Sequence, residues 1–270
     1  MNVEKAIHYI RKNGSRFEQA RLDRVLGLEF NRKEVLKGFS DIQNPDGGFP
    51  YADRKGFPSC LSNTTMALSN LIELGLGDSE PARKGIDFLL KMKKTNGTWP
   101  ENEKIKPLEP PFWDMPGDEE TTAWLTAAVA DILIRIGKKV PKTTQNYLRG
   151  LQGPDGKFSG FIHTTWLAIA IFGTGPYADK HVATRALEYL ETADIDDWDA
   201  SCIAWCLESM KQGDADRASG LRGKLKGMLS DTQEPDGSWP SEGGERAKSR
   251  DAVSVLSALM DIILIENINP

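Results

Sequence analysis

The chain has 270 residues, 39% hydrophobic and 27% charged, enough to bury a substantial core in one domain. A net charge of −5 provides no basic face of the kind phosphate backbones require, so nucleic acid is not expected as a partner. No apolar run approaches the roughly 18 residues of a membrane span, the N-terminal Met-Asn-Val-Glu-Lys has no apolar signal core, and three cysteines are too few for a disulfide frame; together these read as a soluble, cytoplasmic protein.

In chain order, the first unit is faint: Asn13-Gly14-Ser15-Arg16-Phe17 reads as a degenerate turn. An amphipathic helix over Glu34 to Ile42 then runs into Gln43-Asn44-Pro45-Asp46-Gly47-Gly48-Phe49, where glycine supplies the positive φ that stops a helix. The loop Phe49 to Ser59 leads to a more apolar helix, Thr64 to Leu74, closed by Gly75. The grammar repeats. Arg83 to Met92 precedes Lys93-Lys94-Thr95-Asn96-Gly97-Thr98-Trp99, and a long loop, Pro100 to Gly117, leads to the helix Thr121 to Ile136. Gln152-Gly153-Pro154-Asp155-Gly156-Lys157-Phe158 precedes the helix Thr164 to Phe172, and Trp198 marks a turn before Ala200 to Met210. Finally, Gln233-Glu234-Pro235-Asp236-Gly237-Ser238-Trp239 and the loop Ser238 to Arg250 precede Ala252 to Ile265.

Phe49, Trp99, Phe158, Trp198 and Trp239 are spaced by 50, 59, 40 and 41 residues. A period of that size makes each unit one helical pair, and about six units are expected, with no alternating strand pattern. The second helix of each pair is apolar over most of its circumference, as a helix walled in by neighbours must be. The prediction is an all-α fold, one α/α toroid domain over residues 1–270, with an inner ring of about six helices inside an outer ring and the first unit touching the last.

The element Gln-x-Pro-Asp-Gly-x-aromatic between paired helices resembles the QW-type repeat of the terpenoid cyclase and protein prenyltransferase superfamily, over essentially the whole chain. The resemblance implies inner helices lining a cavity for a small isoprenoid or lipid-like substrate. From the residues alone, Gln43, Gln152 and Gln233 are structural: an amide can donate and accept between two helix ends, while the aromatic ring fills the wedge between units. Because every turn falls at a first-to-second helix junction, the long loops gather at one end, which is the candidate site.

Polar residues open the second helices at that end: Asn63, Glu120, His163, Asp199 and Asp251. Asn and Asp are ordinary N-caps, whereas Glu and His are poor ones, so Glu120 and His163 are expected at a cavity mouth. Class II terpene cyclases protonate an alkene or epoxide with the middle Asp of an Asp-x-Asp-Asp motif often followed by Thr-Ala. Two segments resemble it. Asp118-Glu119-Glu120-Thr121-Thr122-Ala123 is in frame with the Thr-Ala, which makes Glu120 the expected acid with Asp118 its partner. Asp194-Ile195-Asp196-Asp197 matches the letters but is out of frame, which leaves Asp196 and Asp197 second. An acid of this kind needs a dry pocket, and burial is expected to raise the Glu120 pKa. Trp113, Trp124 and Trp166 are the rings expected to hold a carbocation or fit an isoprenoid, with His163, Asp199 and Asp251 bordering them. The prenyltransferase branch of the resemblance holds zinc with an Asp-x-Cys pair and a His. Here the Cys is absent, so no metal or cofactor is expected, a divalent ion at Asp118, Glu120 and His163 being the one alternative. A non-catalytic lipid-binding module, a prenyltransferase-like subunit and a glycosidase remain open, and a lone ring implies a lid, a homodimer or a partner chain to exclude water.

Overall fold

A computed structural model describes residues 1–215 and 220–268, with side chains to 259, so the last part of the predicted helix Ala252 to Ile265 lies outside the described side chains. Twelve α-helices are described: α1 Val3–Asn13, α2 Arg16–Val25, α3 Arg32–Ile42, α4 Leu61–Glu73, α5 Glu80–Met92, α6 Glu119–Arg135, α7 Lys142–Gly150, α8 Ile162–Gly173, α9 Lys180–Thr192, α10 Ala200–Gln212, α11 Gly220–Asp231 and α12 Lys248–Ile268. The strand content among the described residues is one two-residue pairing, β1 Phe49–Pro50 with β2 Ser59–Cys60, and an isolated bridge between Gln152 and Phe158.

The repeat motif builds the same joint wherever it occurs. The acid or amide before glycine accepts the amide two residues on: Asp46 from Gly48 N (3.0 Å), Asn96 from Thr98 N (3.2 Å), Asp155 from Lys157 N (3.1 Å) and Asp236 from Ser238 N (3.0 Å). Gly47, Gly97, Gly156 and Gly237 take φ of 91°, 89°, 96° and 97°, and a Cβ there would strike the next outer helix: Lys84 O at 2.5 Å, Thr144 N at 2.6 Å, Arg185 O at 2.2 Å and Lys5 C at 2.3 Å. The conserved spacing therefore has a steric cause, a close approach between turn and helix that only glycine permits.

The glutamines are clasps. Gln43 Nε2 donates to Gly47 O (2.8 Å) and Pro81 O (2.9 Å), and Gln152 Nε2 to Gly156 O (3.2 Å) and Val182 O (2.9 Å). Gln233 Nε2 donates to Gly237 O (3.1 Å) and Asn2 O (3.0 Å), while Asn2 N donates back to Gln233 Oε1 (2.6 Å). Each side chain ties its own turn to the first turn of the next outer helix, and for Gln233 that helix is α1. Lys93 replaces glutamine in the looser copy, and there the bond comes from the other side: Thr144 Oγ1, on α7, donates to Gly97 O (2.7 Å). The ring-filling aromatics Phe49, Trp99, Phe158 and Trp239 are all fully buried, and both tryptophans also donate Nε1 to a carbonyl of the preceding outer helix, at Leu89 and Leu229.

The contacts divide into two compact units, Met1–Val35 with Leu190–Pro270, and Leu36–Tyr189. In the first, α12 packs on α10, α2 and α1, and Arg21 donates to Ser254 Oγ at 3.2 Å, so the first helical pair touches the last as expected. In the second, α6 is the central helix, packed on α4 and α8. Its residues Leu125 to Leu133 are all buried, and a buried carboxylate among them, Asp131, is met by Arg135 at 3.5 Å. Two sequence expectations differ. Asn13 to Phe17 is no glycine turn: Gly14 has an ordinary φ of −70°, and Ser15 begins α2 with a capping box completed by Glu18. Trp198 is half-buried, unlike the other four motif rings, because its turn is built without the Pro-Asp-Gly sequence.

Candidate active site

The long segment 100–117 in the second unit is ordered by its own short helices, Glu103–Leu108 capped by Asn102 and Phe112–Asp114, with Ile105 buried as an anchor. It presents Phe112 and Trp113 outward, 67% and 49% exposed. The two rings meet edge to face at 4.9 Å, and Phe112 meets Phe161 at 5.7 Å. Trp124, one turn into α6, donates Nε1 to Trp113 O at 2.9 Å, which fixes the segment to the helix start. His163, second in α8, lies 6.5 Å from the Trp124 ring and edge-on to Trp166 at 4.6 Å. Trp113, Trp124 and His163 thus form one aromatic face with Phe112 and Phe161. Trp166 is fully buried and backs His163 without reaching the surface.

The carboxylates expected to act there are placed differently. Asp118 is the N-cap of α6 and accepts Thr121 N at 2.7 Å, so its oxygen is spent on the helix end. Glu120 stands exposed in the first turn and is not the buried acid the reading required. Asp118, Glu120 and His163 do not converge: among the described residues no three His, Cys, Asp or Glu side chains surround a common point, and these residues do not fit a divalent ion. In the first unit, Asp196 and Asp197 lie in an exposed turn, Asp196 3.6 Å from Lys224, and not in the dry pocket the reading required. Asp199 caps α10 through Cys202 N at 2.8 Å. Asp251 and Asn63 are not caps: each lies inside its helix. Asp251 is 1% exposed and accepts from Ser241 Oγ and from Arg250 Nε (2.9 Å), while Asn63 donates to Asp53 (3.0 Å). A polar hollow of about 700 Å³ in that unit, bordered by Asn2, Lys5, His8, Asp236 and Glu245, involves none of the expected site residues.

Sequence reasoning missed two buried acids, Glu101 and Asp114, in the same long segment. Asp114 directly follows Trp113 and is buried, with Oδ1 out of hydrogen-bonding reach of any partner. Burial, and then the charge of Glu101, push its pKa up to about 6, against a smaller opposing effect of Ser62. Glu101 is 3% exposed and accepts three backbone amides: Leu61 N (2.7 Å) and Asn102 N (2.6 Å) on Oε1, and Ser62 N (2.9 Å) on Oε2. Burial raises its pKa while those amides oppose the rise. Proline-rich context concealed Asp114, and Glu101 carries no motif. The available signal was only that each follows an aromatic residue of the loop-rich end by one or two positions.

No family model matches the chain, and no curated protein matches it. Solved structures do. The type II terpene cyclase MstE from Scytonema matches at 16% identity and a TM-score of 0.67, covering 97% of this chain and 98% of that one. A protein from Actinoplanes matches at 17% identity and 0.65, covering 95% and 97%, and Candida albicans protein geranylgeranyltransferase-I complexed with GGPP at 16% and 0.55, covering 95% and 83%. The chain is an α/α toroid. As in the sequence reading, outer and inner helices alternate along a toroid, and its second helices carry the aromatic face at their N-terminal ends.

Proposed function

We propose that the protein is an isoprenoid-handling enzyme of the class II type, which cyclises or isomerises a small prenyl substrate by protonating a double bond. The observation that carries this reading is the aromatic face of Phe112, Trp113, Trp124, Phe161 and His163 with a buried carboxyl, Asp114, next to it in the chain. Such rings fit a polyprenyl chain, and each of the Phe and Trp faces can stabilise a cation by about 0.5–2 kcal/mol without trapping it as a base would. A variant of MstE matching at 16% identity holds geranylgeranyl dihydroxybenzoate as substrate, which supports a prenyl chain as the ligand class. The chemistry balances simply. A carboxyl O–H breaks, the alkene π pair forms a new C–H bond, the resulting tertiary cation is attacked by a second alkene or not, and the last cation loses a proton to water, from which the carboxylate regains its own.

On this reading Glu120, exposed at the same helix start, touches the polar end of the substrate, and the substrate or a second copy of the chain covers Phe112 and Trp113. Three free cysteines support a reducing cytoplasm. A prenyltransferase role is less favoured. Among the described residues no three His, Cys, Asp or Glu side chains gather at a point where they could hold the zinc that branch uses. The test is incubation of the full chain in deuterium oxide with prenyl alcohols, prenyl diphosphates and prenylated aromatic acids, followed by mass spectrometry. Proton-initiated chemistry places one solvent deuteron in the product and releases no diphosphate. Product without deuterium, or substrate that binds and is recovered unchanged across the panel, refutes it.

A further inference from the structure

We infer that the polar hollow of about 700 Å³ between α1 and the Gln233–Trp239 turn binds a small zwitterion, an aminoalkyl phosphate whose phosphate lies on α1 and whose ammonium lies on the turn side. The site shares no residue with the aromatic face and does not depend on the function read from that face.

The hollow has two walls of different charge. Lys5, His8 and Lys12 stand at i, i+3 and i+7 of α1, which puts them on one face of the helix over about 10 Å. Asp236 and Glu245 form the other wall. The opposite charges do not close on each other: Lys5 Nζ donates to Pro235 O at 3.1 Å, and Glu245 meets Lys248 at 2.8 Å. The turn is also fixed against α1, by the bond from Asn2 N to Gln233 Oε1 (2.6 Å) and by the close approach of Gly237 to the Lys5 backbone. A gap held open by rigid walls spares a ligand much of the ordering cost of binding.

The protein answers the acid wall but not the α1 wall. Asp236 Oδ1 accepts from Ser238 N (3.0 Å) and Ser238 Oγ (2.8 Å), and the Ser238 amide holds its carboxyl below the usual aspartate range, so it stays ionised. Tyr9 is only 8% exposed and borders the hollow, yet its hydroxyl has no hydrogen-bond partner among the described residues, and the side chains of His8 and Lys12 have none either. Burial, and then the charges of Asp236 and Glu245, raise the Tyr9 pKa, which keeps the phenol a donor. A phenol, an imidazole and an ammonium without acceptors suit a group that brings several acceptors together, and a phosphate monoester brings three oxygens and the charge. A bare anion is the poorer ligand, because Asp236, Glu245 and the exposed Glu4 repel it. An ammonium on a short linker turns the repulsion of the acid wall into attraction.

The experiment is isothermal titration calorimetry of the full chain with phosphoethanolamine, inorganic phosphate and ethanolamine in turn, and with vesicles of phosphatidylethanolamine. Free phosphoethanolamine should bind with a Kd of about 1 mM or tighter, and phosphate and ethanolamine at least about tenfold more weakly. Lys12→Gln and Asp236→Asn should each weaken binding by about tenfold, and Tyr9→Phe by at least about threefold, with the surface variant Lys138→Gln unchanged. Binding to the vesicles but not to the free compound, with the same loss in these variants, would identify a lipid headgroup as the source of the same chemistry and support the site. Phosphate binding as tightly as phosphoethanolamine overturns the inference, as does the absence of binding by every probe or an affinity unmoved by the three variants. Lys12 is exposed, so Lys12→Gln decides even where Tyr9→Phe unfolds.

Discussion

Gly237→Ala tests the joint by which the last turn meets the first helix. The new Cβ would lie 2.3 Å from Lys5 C, 2.4 Å from Lys5 O and 2.7 Å from Ala6 N, all backbone atoms of α1 that cannot swing aside. The residue also sits at φ +97°, a conformation that costs a side-chain-bearing residue about 1–3 kcal/mol. Relieving the overlap requires moving α1 off the turn, which adds about 1–3 kcal/mol of repacking and loosens the Gln233 clasp. The expected loss is about 2–6 kcal/mol, a large part of an ordinary domain's roughly 5–15 kcal/mol. Gly56→Ala is the matched control: its φ is +92°, but nothing lies within 4 Å of the added carbon, so only the backbone cost of about 1–3 kcal/mol applies. Urea unfolding followed by circular dichroism gives both numbers, and amide exchange in α1 locates the effect. Equal destabilisation of the two variants, or unchanged exchange in α1 of Gly237→Ala, would refute the argument that close approach, rather than φ, is what this glycine serves.

Gln43→Ala and Gln152→Ala should each cost about 1–3 kcal/mol in denaturant unfolding, since each removes two bonds to partly buried carbonyls. Arg135→Ala should cost about 3–5 kcal/mol, because it strands the buried Asp131 carboxylate, whose pKa burial already raises; Asp131→Asn in the same background should recover part of the loss. Stability should also carry a signature of Asp114. Its folded pKa, near 6, lies above its unfolded value, so its contribution is complete below about pH 4 and is lost as pH rises through 6, by up to about 3 kcal/mol. Asp114→Asn should flatten the difference between stabilities measured at pH 5 and pH 7, and an unchanged slope would mean the carboxyl is ionised throughout.

The joints were legible in the sequence because they are local and repeated. A Pro-Asp-Gly turn followed by an aromatic dictates an Asx turn, a positive φ and a buried ring within seven residues, and three such copies with a looser Thr-Asn-Gly fourth make the period. The partner of each glutamine was legible as a role, not as an identity, because Pro81, Val182 and Asn2 are chosen by packing between units. The site was harder. Glu120 was selected for its frame, yet a helix position sets which way a side chain points only after the neighbouring loop is known, and here the loop leaves Glu120 in water. Glu101 acquires its character from burial against the start of α4, 40 residues earlier in the chain, which no spacing rule reports. Trp124, His163 and Trp166 were all expected to border a pocket because an inner-helix start is a local feature; Trp124 and His163 stand on the aromatic face, and Trp166, three residues after His163, is buried behind it.

The bond between Asn2 and Gln233 spans 231 residues, and that distance has a meaning for biosynthesis. At roughly 5–20 residues per second the ribosome needs on the order of ten seconds or more to deliver the partner of α1. Throughout that interval Ala6, Tyr9 and Ile10, buried in the finished protein, have no α12 to cover them. The α1–α2 pair must therefore wait, partly formed, for α12 to emerge, and until then the nascent chain offers chaperones the apolar face of α1.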